Sequence, residues 1–546
     1  MGNSQISKHR LPVGKRSQLR PLVFAIACGL AAASAQAFEI ATDNEDLSIR
    51  WDNTVKYSAA YRLQDADSRL TAAPFSGFAN TDDGDRNFRN AGVISNRLDL
   101  LSELDVVYKK NYGFRVSGAA WYDSVYNGSN DNDSAATSNN VSVANSEFTD
   151  GTRKLHGQDA ELLDAFLFGK ADVAGMPLTA RLGRHTVLWG ESLFFGGNGI
   201  ANAMAPIDVV KAMSVPNTKF QELMRPVNQL SSQLQITPDV ALGMFYKLEW
   251  DKTRLPGAGS YFSGIDMLSD GAESIYVPGL GKLDRTSDIE AKDSGQGGVS
   301  LRLRSGDVDY GLYAARYHET GPQIYILPVG GQYRWVYPEG VRTFGASAST
   351  TFENVNIAAE VSVRHNTPLA SDAQIDVTGT ADNSDNALYA IGKSAHAQVN
   401  WLASLGPSWI AREADFLGEI AWNRMTSITK NASALNPNAT RDATNIRVVY
   451  EPKYRQVLPG LDLSVPIGIG YGLSGNSAVV ASFNGEKVGD LSIGVNGTYL
   501  DDWRFGLSYT HYFGPVDNGI DANGHGSYKQ NLADRDYIAL SVRRTF

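Results

Sequence analysis

Along most of this chain, apolar and polar residues alternate one by one. From Leu47 to Tyr61 the odd positions include Leu47, Ile49, Trp51, Val55, Tyr57 and Tyr61, and the even ones Arg50, Asp52, Lys56 and Ser58. The same two-faced pattern runs through Leu98–Tyr108, Phe114–Tyr122, Leu242–Trp250, Val299–Leu303, Ile357–Val363, Phe416–Trp422, Leu461–Tyr471, Leu491–Tyr499 and Trp503–Tyr509. Successive side chains of a strand point to opposite faces, so each segment has one greasy side and one wet side. Many of these segments reach about ten residues, the length that crosses a bilayer when tilted, whereas strands of soluble sandwiches average about five or six. Aromatic residues gather toward the ends of the apolar faces, where a lipid interface would place them.

The connections alternate too. Short ones fall at Lys109–Gly113, Ala174–Pro177, Pro238–Asp239, Ser305–Asp309, Glu353–Asn356, Leu405–Trp409, Leu458–Gly460 and Asp501–Asp502. Between them lie nine long ones, 64–92, 127–158, 191–226, 252–293, 318–341, 367–389, 425–445, 474–488 and 514–534. Short turns at one rim and long loops at the other describe a transmembrane antiparallel β-barrel, an all-β fold. The expected count is about eighteen strands, with sixteen and fourteen as alternatives, because 318–341 and 367–389 are poorly patterned.

One stretch breaks the rule. Between Arg181 and Val227 a strand gives way to a run with helical spacing. Ala205-Pro206 opens a helix over Pro206–Met213, since proline suits a first helical position. Asn217 is placed to cap a second one containing Glu222. Ile207, Val210 and Met213 share one face, as do Phe220, Leu223 and Met224. A long helical insertion in an all-β chain is often functional. The segment 191–226 is therefore expected to fold into the lumen as a constriction or plug. Arg184, His185, Trp189, Glu191, Met204, Ile207, Val210, Met213, Phe220, Leu223 and Met224 are the candidate solute path. Parity also turns Lys56, Arg97, Glu360, Arg364 and Glu419 inward, where cross-strand ion pairs are their alternative role.

Composition narrows the picture. Lys8, Arg10, Lys15, Arg16 and Arg20 precede an apolar run, Leu22–Ala33, and Ala35-Gln36-Ala37 ends it. This reads as a secretory signal peptide over residues 1–37, leaving 38–546 as a single barrel domain. The only cysteine, Cys28, lies within the leader, so no disulfide holds the remainder. The whole chain carries −10, and without the five basic residues of the leader −15, which argues against nucleic acid as a partner. The acidic run Asp82–Asp85 and the polar run Asn127–Asn140 resemble calcium-binding loops in composition but not in spacing, and are expected to be solvated outer loops.

Catalytic motifs are missing. There is no G-x-S-x-G, no phosphate-binding loop and no H-E-x-x-H, and no cofactor or metal site is expected. His185 lies near Thr186 and Ser192 in sequence, but a structural role is the expectation. The final segment YIALSVRRTF, with Ile538, Leu540, Val542 and Phe546 on one face, is similar to the C-terminal strand that the barrel-insertion machinery reads.

GRHTVLWGES at 183–192, ELLDAFLFGKAD at 161–172 and RPVNQLSSQLQITPDVALGMFYKLEWD at 225–251 together resemble the proteobacterial family catalogued as domain of unknown function 1302. The departure is His185, where that motif leads one to expect glutamine. The resemblance implies a barrel in the outer membrane of a Gram-negative bacterium, contacting outer-membrane lipid and lipopolysaccharide. It also implies association with a periplasmic or lipoprotein partner and a resistance-nodulation-type transporter. The expected function is passage of a hydrophobic or amphipathic small molecule. The alternatives are a general or anion-selective porin, a barrel enzyme acting on lipid, and a structural or adhesive barrel.

Overall fold

The computed structural model describes residues 38–71 and 77–546. The expected leader, 1–37, lies outside the described residues. Eighteen strands form one closed antiparallel barrel. In chain order they are β1 Leu47–Arg62, β2 Gly92–Tyr108, β3 Tyr112–Asp123, β4 Gln158–Val173, β5 Met176–His185, β6 Val227–Thr237, β7 Val240–Lys247, β8 Gly297–Ser305 and β9 Val308–Tyr317. They continue with β10 Val341–Phe352, β11 Val355–Pro368, β12 Ile391–Leu405, β13 Glu413–Lys430, β14 Asp442–Leu458, β15 Leu461–Ser474, β16 Gly489–Tyr499, β17 Trp503–Phe513 and β18 Tyr537–Thr545. Strand β15 is interrupted at Val465-Pro466, where proline has no N–H to give the ladder. The alternatives of sixteen and fourteen strands fall away, and all eight short turns lie at one rim opposite nine long loops.

The ring closes between its ends. Strand β18 pairs with β1 from Thr54↔Thr545 to Arg62↔Tyr537, and Asn53 and Phe546 exchange both backbone hydrogen bonds, at 2.7 and 2.8 Å. The outward face is greasy. Leu167, Leu182 and Leu230 sit side by side on β4, β5 and β6, and Leu242, Leu301 and Leu312 on β7, β8 and β9. Leu167, Leu182 and Leu312 are at least half exposed, a poor outcome in water and the right one in acyl chains. Inside, Arg115 reaches Glu103, Asp105 and Asp164, Arg447 meets Asp490 at 2.5 Å, and Lys453 meets Asp415 at 2.5 Å. These are cross-strand ion pairs between inward charges.

The long loops are not simply solvated. A second sheet of five short strands forms from Ser274–Val277, Gly281–Arg285, Gln323–Leu327, Gln332–Val336 and Gln374–Ile375, all in segments expected to be loop. Ile275, Leu283, Ile326, Tyr333 and Trp335 make its core, and the Trp335 indole donates to Met267 O at 2.6 Å. The acidic and polar runs also differ from expectation. Asp82, Asp83, Asp85, Asn132, Ser138 and Asn139 are buried, because loops from distant parts of the chain close over them.

Candidate functional site

The segment 186–226 crosses the lumen, and inward side chains of the wall hold its backbone. Glu360 on β11 accepts from Glu191 N at 2.8 Å and Ile200 N at 2.5 Å. Glu419 on β13 accepts from Leu193, Phe194 and Phe195 N at 3.3, 2.5 and 2.7 Å. Arg364 donates to Gly197 O and Gly199 O at 2.9 and 2.8 Å. The inward charges Glu360, Arg364 and Glu419 thus satisfy a stretch with no ladder of its own, in place of ion pairs with neighbouring strands. Gly190 makes this possible: its φ is +88°, and a Cβ there would lie 2.3 Å from the Glu360 carboxylate.

The far half of the segment touches the opposite wall. Its one α-helix is Val209–Ser214, three residues shorter at its start than expected. Asp208 caps it, accepting from Lys211 N at 2.9 Å, while Ile207 pairs with Met224 as an isolated bridge. Asn217 does not cap a helix; its φ is +61° and its side chain accepts from Ser492 Oγ of β16 at 3.2 Å. Phe220–Glu222 is a single 3₁₀ turn that follows Lys219. Tyr537 of β18 donates to Met213 O at 3.1 Å, and Met213 packs against the cluster that contains Tyr537, as Ala60 of β1 and Ala539 of β18 also do.

The candidate path residues separate into groups. Trp189 and Met204 are buried with Ile200, Phe245, Tyr313 and Tyr317, and they fasten the segment to the β7–β10 wall. Phe220 and Leu223 are also buried, whereas Glu191, Ile207, Val210, Met213 and Met224 are half-buried. Arg184 shares a strand face with lipid-facing Leu182, pairs with Glu249 at 3.0 Å, and is therefore placed away from the lumen. His185 is buried and inward: its Nδ1–H donates to Gly183 O at 2.9 Å, so Nε2 accepts from Ser231 Oγ at 2.7 Å. Ser192 lies elsewhere, bonded to Gln398 at 2.5 Å, so the two do not form a base–nucleophile pair.

Beneath the segment runs an inward basic row, of which only Lys56 is among the inward charges expected above. Lys56 of β1 lies beside Arg543 of β18, and Arg543 beside Arg504 of β17. Asp99 flanks the row, but Arg97 holds it at 2.8 Å. Arg504 and Arg543 were readable by parity, since Val542 and Phe505 face lipid.

In the outer loops, one carboxylate oxygen from each of Asp82, Asp83 and Asp266 lies within 4.8 Å of the others. Three oxygens are fewer than the six to eight calcium takes. Burial, reinforced by the neighbouring carboxylates, pushes Asp83 up to about 7 and Asp266 well above the usual carboxylate range. Both bind a proton more tightly folded than unfolded. Their contribution to the loop cap is thus complete below the ordinary value of 3.8 and is lost as pH rises through about 7. Limited proteolysis of the loops is expected to quicken between pH 5 and pH 8, and Asp83→Asn to flatten that dependence; an unchanged profile in the variant would refute it.

In shape the chain is similar to OmpT, an outer membrane protein of Vibrio cholerae, at 9% sequence identity and TM-score 0.36, covering 93% of this chain and 100% of that one. It is also similar to OccAB1 of Acinetobacter baumannii, at 9% identity and TM-score 0.41, covering 94% and 99%. The outer membrane channel DcaP of Acinetobacter baumannii follows at 11% and 0.39, covering 94% and 100%. At such identities the likeness concerns fold alone. No curated protein matches the chain by sequence. The motifs around His185 and the whole barrel with its lumenal segment fall instead within one matched span: over residues 18–546, the chain belongs to the family described as protein of unknown function (DUF1302).

Proposed function

We propose that this chain is a channel of the Gram-negative outer membrane, long loops outward, that passes an anionic amphipathic small molecule. The observation that carries the reading is the pairing of two surfaces. Val210 and Met213 present apolar groups on a segment braced across the lumen, and Met213 packs against the same cluster as Ala60 of β1 and Ala539 of β18. Two inward positions further along the same strands stand Lys56 and Arg543, with Arg504 beside them. A greasy surface above a cationic row suits a solute with an apolar tail and a carboxylate or sulfate head. Mixed charge elsewhere in the wall offers less single-sign selectivity.

The test is electrical and chemical. Lys56→Gln, Arg504→Gln and Arg543→Gln together are expected to move the reversal potential in a salt gradient toward cations. They are also expected to lower flux of a long-chain carboxylate about tenfold, the modest end of electrostatic focusing. Selectivity and flux equal to wild type would refute the proposal. A large, unselective wild-type conductance would favour a general porin instead.

A further inference from the structure

On the outer wall, four consecutive strands carry basic groups at one level. Arg316 of β9 is in register with Arg342 of β10, Arg342 with His365 of β11, and His365 with Lys393 of β12. All four are exposed, and they lie at the loop end of their strands. Among the described residues, neither arginine nor Lys393 has an ion-pair partner. Arg424 on β13 differs in being held by Asp442 at 3.1 Å. The Arg316 guanidinium rests between Gly295 and Gly340, where a Cβ would come within 3.4 Å of it on either side. On the opposite flank the row at the loop end is Val93, Tyr61, Ile538 and Tyr509, with no charge at all.

Directly below the two arginines the wall is hollow. A groove of about 530 Å³ is lined by Met244, Tyr246, Gly297, Val299, Ala314 and Phe344. It exists because Gly297 and Ala314 are small where their neighbours Tyr246, Val299 and Phe344 are large. It opens toward the acyl layer, since Met244, Val299 and Phe344 are outward residues near half exposure.

Single cations near an interface commonly reach for water. A row of them on four adjacent strands, on an otherwise acidic chain and above an apolar groove, is a more specific arrangement. Guanidinium pairs bind phosphate oxygens in a fork geometry. We propose that the outer face of β6–β12 binds a phosphorylated, multiply acylated lipid of the outer leaflet. Its phosphates would meet Arg316, Arg342 and Lys393, and one acyl chain would lie in the groove. The assignment of the leaflet rests on the orientation proposed above; the groove and the cations do not.

Native mass spectrometry of the detergent-purified chain tests it, with bisphosphorylated hexa-acyl lipid A as probe and dephosphorylated lipid A and phosphatidylethanolamine as comparisons. Arg316→Gln, Arg342→Gln and Lys393→Gln combined are expected to weaken lipid A binding about a hundredfold, from roughly fivefold per cation. Ala314→Phe fills the groove with every charge in place and is expected to weaken all acylated probes. Equal retention of phosphatidylethanolamine and lipid A, or unaltered lipid A binding in the triple variant, overturns the phosphate site. Unaltered binding in Ala314→Phe overturns the acyl seat. A tag in loop 124–157, probed on intact cells, reads orientation separately, and the selectivity assay reads the lumen, so failure of either leaves the lipid result interpretable.

Discussion

Replacing Glu419 with alanine is expected to release the lumenal segment and raise single-channel conductance several-fold. Three backbone N–H groups converge on that carboxylate, from Leu193, Phe194 and Phe195. Each would lose its acceptor inside the barrel, at about 1–3 kcal/mol per group. Glu360 would still hold Glu191 N and Ile200 N, so the segment should pivot about that point rather than leave the wall. Adding Glu360→Ala removes the pivot and should give the larger current. Glutamine at 419 retains an acceptor oxygen and is expected to behave closer to wild type. Planar-bilayer recordings, with hydrogen exchange over 190–200, read both effects. Conductance and exchange unmoved by the double alanine variant would show that the carboxylates do not set the position of the segment.

The second large effect lies in the loop cap. Arg535 is fully buried, pairs with Asp85 at 2.9 Å and donates to Ser263 O at 2.6 Å and Tyr261 O at 2.5 Å. Arg62 is buried next to it and pairs with Asp534 at 2.8 Å. Removing Arg535 leaves Asp85 with only the longer contact to Arg62, at 3.7 Å, and breaking a buried pair in this way costs about 3–5 kcal/mol. Arg535→Met is therefore expected to expose the outer loops to protease while the strands stay protected. Asp85→Asn in the same chain removes the weakly paired buried charge and should recover part of the loss. Equal protection of Arg535→Met and wild type would contradict this account.

Much of the barrel was legible because a period of two needs only local information. Residues such as Leu98, Leu100 and Leu104 declare their face whatever lies across from them. The nine loops and eight turns followed from where that period stops. What could not be read locally was what the loops do with one another. Asp83 looks like a solvated residue in sequence, yet it is covered by Ser138 and Asn139 and by Asp266 from a third loop. Tyr325, Tyr333 and Trp335 are buried in a sheet whose five strands are drawn from three loops. The short segments QIYIL and QYRWV flank a Pro-Val-Gly-Gly turn, and that hairpin signal was present. In the lumen, parity turned Glu360 and Glu419 inward. Their real partners are N–H groups more than 150 residues away, with no charge to betray them. The helix was foreseen by its spacing, but it begins after Asp208 rather than at Pro206, since the Asp208 carboxylate accepts from Lys211 N at the first turn.

The seam between Asn53 and Phe546 carries a kinetic consequence. The two halves of that seam sit at opposite ends of the covalent order, so no partial product of synthesis can seal the cylinder. Until β18 arrives, two unpaired edges wait for hydrogen-bond partners, and an aqueous compartment would offer them other copies of the chain. Such a topology, dominated by distant pairings, assembles slowly. A version shortened before Tyr537 should consequently clump rather than insert.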